Sequence, residues 1–85
     1  MLEKDEIRSR VRARVEPRLG GRSLSDDDDM FALGYVNSLF ALQLARMVQK
    51  EFELQFGPED MDFDNFRTVD GIVAMVISKM PAEQS

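Results

Sequence analysis

The chain has 85 residues, with 11 basic and 16 acidic side chains, no cysteine and no histidine. That composition excludes disulfides, thiolate metal sites and cysteine nucleophiles, and it removes the commonest general base and zinc ligand. The net charge of −5 divides into +3 over residues 1–22 and −8 over residues 23–85. Such an acidic body disfavours nucleic-acid binding and favours partners with basic surfaces.

The opening segment "MLEKDEIRSR" is charged throughout and has no apolar signal region, and no apolar run is long enough to span a bilayer. The expectation is a cytoplasmic monomer with no membrane or nucleic-acid partner. It forms a single domain over 1–85, with its core within about 3–80 and a mobile tail at 81–85.

Ile7, Val11 and Val15 recur at i, i+4 and i+8, which predicts a helix from about Leu2 to Glu16, stopped by Pro17 and the Gly20-Gly21 pair. Arg8, Arg10, Arg12 and Arg14 are interleaved with that stripe and read as a solvated helix face rather than an RNA-binding patch. A long loop follows, roughly 18–36, with Leu24, Phe31 and Leu33 as its expected anchors.

A second helix is predicted from Asn37 or Ser38 to about Leu54, closed by Gly57-Pro58, with its strongest apolar line at Leu42, Ala45, Val48 and Phe52. The acidic segment "PEDMDFDNF" (58–66) has room for one helical turn. The last helix is predicted to open at Thr68, a good N-cap, and to stop at Pro81. No stretch alternates with period two, so the fold class is all-α: a small four-helix bundle of three main helices and one short one, with a long first loop. The buried face is expected at Ile7, Val11, Val15, Leu42, Val48, Phe52, Ile72, Val73 and Ile77.

Two acidic runs invite a metal reading. "DMDFDN" (60–65) starts like a calcium loop, but Asn65 stands where that loop needs glycine and Gly71 where it needs a bidentate glutamate. "DDDD" (26–29) could attract divalent ions only weakly. Both read as solvated loops, with no metal site.

The stretch "LGYVNSLFALQL" (33–44) sets an Asn-Ser pair at the mouth of the second helix. Serine catalysis has no support there, because a hydroxyl needs a base beside it and no histidine exists to supply one. Asn37 is a good N-cap and Ser38 is tolerated in a first turn. A hydroxyl at that mouth is also open to another protein, and a phosphodiester attached there would meet unsatisfied N–H groups and the positive end of the helix dipole.

"LGYVNSLFALQLARMVQKEF" resembles the attachment motif of acyl carrier proteins, usually L-G-x-D-S-L followed by an amphipathic helix ending in E-E-F. "RTVDGIVAMV" (67–76) is similar to the start of that family's last helix, and the likeness covers roughly residues 3–80. The resemblance implies that the chain is not an enzyme. Ser38 would carry a covalent 4′-phosphopantetheine, added from coenzyme A by a phosphopantetheinyl transferase, whose thiol holds an acyl group as a thioester. Asn37, standing where the family usually has Asp, would cap the helix beside it. The second helix, usually acidic, has Phe40, Gln43, Arg46, Gln49 and Lys50 on or near its docking faces; Leu39, Phe40, Gln43, Arg46 and Lys50 are the expected partner-recognition residues.

The form "GYVNSLFALQL" is further similar to discrete carriers of polyketide and hybrid secondary metabolism, including antibiotic biosynthesis, that receive glycerate-derived units. Its partners would be an acyl-loading enzyme and a dehydrogenase, acyltransferase or ketosynthase. The alternatives are a peptidyl carrier protein and a non-modified helical adaptor, in which Asn37-Ser38 is only a cap and the exposed Leu39 and Phe40 make a protein contact.

Overall fold

The computed structural model describes residues 3–80. Three α-helices run in chain order: α1 (Lys4–Val15), α2 (Ser38–Phe52) and α3 (Val69–Lys79). Short 3-10 turns lie at Glu16–Arg18, Pro58–Met61 and Phe63–Phe66. The described residues contain no strand. The segment expected to hold one helical turn therefore holds two, each too tight to continue. The predicted tail at 81–85 and the expected starts and stops at Leu2 and Pro81 lie outside the described residues.

Helix α1 packs against both α2 and α3, and the Phe63–Phe66 turn bridges α2 and α3. Ile7, Val11 and Val15 supply the buried stripe of α1, as their spacing predicts. Val69, Ile72, Val73, Met75 and Val76 are buried from α3, while Ile77 remains 41% exposed. Thr68 caps α3 by accepting the Gly71 N–H on Oγ1 at 2.8 Å.

The inward face of α2 differs from the expected one. It consists of Phe40, Ala41, Leu44, Ala45 and Val48, with Leu42 41% exposed and Phe52 half-buried. At about 100° per residue those five buried positions share one arc, and Leu42 lies well off its centre. The leucines at 39, 42 and 44 spread around the helix, so composition alone leaves its rotation open.

The long loop is anchored by Leu19, Leu24, Met30 and Val36, all buried. Phe31 is half-buried with its ring centroid 6.0 Å from that of Phe63, and Leu33 is exposed rather than an anchor. Polar contacts tie the loop to the entrance of α3: the Met30 N–H donates to Arg67 O at 2.7 Å, and the Asp70 N–H donates to Asp26 O at 2.9 Å.

The acidic run within this loop is structural at three of its four positions, with Asp27 left exposed. Asp26 pairs with Arg8 (2.9 Å) and Arg12 (2.7 Å), and Asp28 accepts the Ser25 N–H at 2.8 Å. Asp29 accepts from the Phe31 and Ala32 N–H groups and pairs with Arg67 at 3.1 Å. Among the described residues no group of three potential ligands could hold a metal ion. The arginine run of α1 is likewise more than a solvated face, since Arg10 and Arg14 both pair with Glu51 and so clamp α1 to α2. No helix of the described chain is long and apolar enough to cross a membrane.

Candidate functional site

The site is assembled at the start of α2. Gly34 takes φ +80°, a conformation that favours glycine, and turns the chain back. The Tyr35 and Val36 N–H groups then both donate to Met30 O, at 3.0 and 3.2 Å, and the Val36 side chain is buried. The chain thus arrives at Asn37 in a fixed direction. Asn37 is extended (φ −122°, ψ 178°), and its Oδ1 accepts the Phe40 N–H at 2.9 Å. Its backbone carbonyl accepts the Ala41 N–H at 2.8 Å.

Ser38 is the first residue of α2 and is exposed. The N–H groups of Ser38 and Leu39 fall outside the helical ladder, because the first turn has no preceding carbonyls to receive them. The first turn holds no acidic residue, so the positive end of the helix dipole is not offset there. Two arginines stack on rings that flank Ser38 in sequence. The Arg18 guanidinium carbon lies 4.5 Å from the centroid of the Phe40 ring, and that of Arg22 lies 4.3 Å from the Tyr35 ring. An exposed serine at a helix N-terminus, with free N–H groups and no acidic residue in the first turn, suits a covalently attached phosphodiester.

The expected recognition residues separate in the structure. Leu39 (67% exposed), Gln43, Arg46 and Lys50 lie on the outside of α2. Phe40 does not: it is 7% exposed and belongs to the core, which corrects its placement on the surface. Gln49 is also not a free surface group. Its Nε2 donates to Ala45 O at 3.3 Å and its Oε1 accepts the Phe56 N–H at 3.0 Å, fastening the segment after α2 onto the helix. Arg18 and Arg22 carry no signal of this stacking in the sequence, because the rings they meet lie more than ten residues further along the chain.

Three carboxylates around this frame are held below their ordinary pKa. Asp29 is lowered first by the Ala32 N–H, with Arg67 adding to it; Glu51 by the hydrogen bond from Arg14; and Asp60 by the hydrogen bond from Lys79, 2.7 Å away. None of these residues forms an acid–base pair with Ser38.

A family model described as the phosphopantetheine attachment site matches residues 9–76, well over half of the chain, and the chain belongs to that family. It is a carrier protein, not an enzyme, and its prosthetic group is a covalently attached 4′-phosphopantetheine. Its partners are of two kinds, a phosphopantetheinyl transferase and biosynthetic enzymes. No curated protein and no solved structure matches the chain.

Proposed function

We propose that Ser38 is the attachment residue, and that the chain is an acyl carrier of secondary metabolism that presents a polyketide extender or starter unit to its partners. The observation that carries the reading is the exposed Ser38 hydroxyl at the first position of α2, within the span the family model matches. The prosthetic group supplies a terminal thiol that holds the acyl chain as a thioester. Ser38 Oγ is the acceptor, Asn37 holds the turn that presents it, and the base that activates it belongs to the transferase. Leu39, Gln43, Arg46 and Lys50 form the face that partners read.

The finer assignment is a carrier of glycerate-derived units. It rests on the "GYVNSLFALQL" form and on a second helix without the usual acidic character. Its partners are then a glyceryl-loading enzyme and a downstream dehydrogenase, acyltransferase or ketosynthase. The two 3-10 turns at 58–66 serve as the short helix of a four-helix bundle, in one cytoplasmic domain of residues 1–85.

Intact mass before and after incubation with coenzyme A and a broad-specificity phosphopantetheinyl transferase tests the attachment site. One phosphopantetheine added, mapped to Ser38 and absent from Ser38→Ala, is the expected result. Absence of any gain with several transferases, from a folded sample, would return Asn37-Ser38 to a cap in an unmodified adaptor. The loaded protein is then offered to glyceryl-loading and amino-acid-activating enzymes; aminoacyl transfer alone would favour a peptidyl carrier.

A further inference from the structure

The basic residues divide by place. Arg8, Arg10, Arg12, Arg14, Arg67 and Lys79 are all engaged in ion pairs that hold the fold together. Among the described residues, no ion pair engages Lys4, Arg18, Arg22, Arg46 or Lys50. Lys4 opens α1, and the other four surround α2. Arg46 and Lys50 lie on it, Arg18 stacks on Phe40 in its first turn, and Arg22 stacks on Tyr35 just before its cap.

Helical geometry places Leu39, Gln43, Arg46 and Lys50 within about 60° of arc, along a stripe about 17 Å long. All four are exposed, and the helix from Ser38 to Lys50 contains no acidic residue. Glu51 follows, but Arg10 and Arg14 already occupy its carboxylate, and exposed Glu53 lies past the last helical residue in the left-handed conformation. A chain of net charge −5 therefore presents a positive face on the helix that begins with Ser38.

From this arrangement we infer that the enzymes docking on α2 present carboxylates to Arg46 and Lys50 and an apolar notch to Leu39. The expectation from the whole-chain charge, partners with basic surfaces, is reversed on this face. The inference rests on the carrier reading above and adds the charge of its partners. Aspartate or glutamate side chains spaced to meet two cations one helical turn apart give register, and Leu39 gives the desolvated contact. The acidic remainder of the chain repels the same partner surface, so the enzyme is steered to the α2 face rather than merely attracted to the molecule.

The test uses the 85-residue chain and two phosphopantetheinyl transferases, one with an acidic and one with a basic carrier-docking surface, with coenzyme A as donor. The wild-type chain should be loaded with the higher kcat/KM by the acidic-surfaced enzyme. Replacing both cations (Arg46→Glu with Lys50→Glu) should lower that value about tenfold or more and raise it for the basic-surfaced enzyme. The difference should shrink as salt is added. Lys4→Glu changes net charge as much as either single replacement but lies at the far end of α1, and it should leave both rates unchanged.

Equal loading of wild type and double variant by both enzymes would overturn the inference while leaving the carrier reading intact. No loading of the folded wild type by either would remove the carrier reading itself. A concentration-dependent dimer that the double variant dissolves would assign the face to a second copy of the chain and overturn the partner proposed here.

Discussion

Asn37 Oδ1 receives the Phe40 N–H at 2.9 Å, so one hydrogen bond joins the residue beside the exposed serine to a residue whose ring lies in the core. Removing the acceptor in Asn37→Ala should cost about 1 kcal/mol, the usual value of an N-cap. Asn37→Asp keeps the acceptor and adds a negative charge at the positive end of the helix, for a gain of about 0.3–1 kcal/mol. Urea denaturation of the two variants checks both signs; a neutral Asn37→Ala would mean that the cap does not hold the mouth of α2.

The rotation of α2 makes a paired prediction. Leu44 is fully buried and Leu42 is 41% exposed. Leu44→Ala should destabilise by about 2–5 kcal/mol, since it opens a cavity. Leu42→Ala should cost well under 1 kcal/mol. Equal losses would place the helix in a different rotation.

Glu53 ends α2 in the left-handed conformation, at φ 55° and ψ 49°, where its N–H donates to Gln49 O. A side chain with a Cβ is disfavoured there and glycine is not. Glu53→Gly should therefore raise stability by about 0.5–1 kcal/mol, read as a higher urea midpoint. A lowered midpoint would show that the Glu53 side chain contributes more than its backbone strain costs.

The depressed carboxylates fix the direction of the acid response. Asp29, Glu51 and Asp60 are more acidic folded than unfolded, so their stabilisation is complete above the ordinary carboxylate range, about pH 4. It is lost as pH falls further, through the lower folded values. Lys79 is raised, chiefly by its hydrogen bond to Asp60, so its contribution is complete below about pH 10 and is lost above that. Denaturation midpoints measured from pH 2 to 11 should form a plateau that falls at both ends. Asp60→Asn should flatten the alkaline fall, and an unchanged alkaline fall would show that the Asp60–Lys79 pair is not its source.

Much of this architecture was legible in the sequence. The i, i+4, i+8 spacing of Ile7, Val11 and Val15, the Thr68 cap and the Asn37-Ser38 junction all report local geometry, and the helices start and stop within a few residues of where those signals lie. What escaped depends on residues far apart in the chain. Phe40 looked like an exposed neighbour of Ser38 because its core position is set by tertiary packing and by Arg18 stacked on its ring. Asp26 and Asp29 read as solvated because Arg8, Arg12 and Arg67 reach them from other elements. Gln49 looked like a surface amide because the N–H it accepts belongs to Phe56, beyond the end of the helix.

The loop that aims α2 is fastened by groups that come later in the chain. Arg67 O takes the Met30 N–H, Arg67 pairs with Asp29, and the Asp70 N–H donates to Asp26 O. A nascent chain halted before residue 67 already contains Ser38 but none of these fasteners. During synthesis, then, the serine is made early and set in place late. Any step that needs the finished mouth of α2 has to wait until the chain through Asp70 is free to fold.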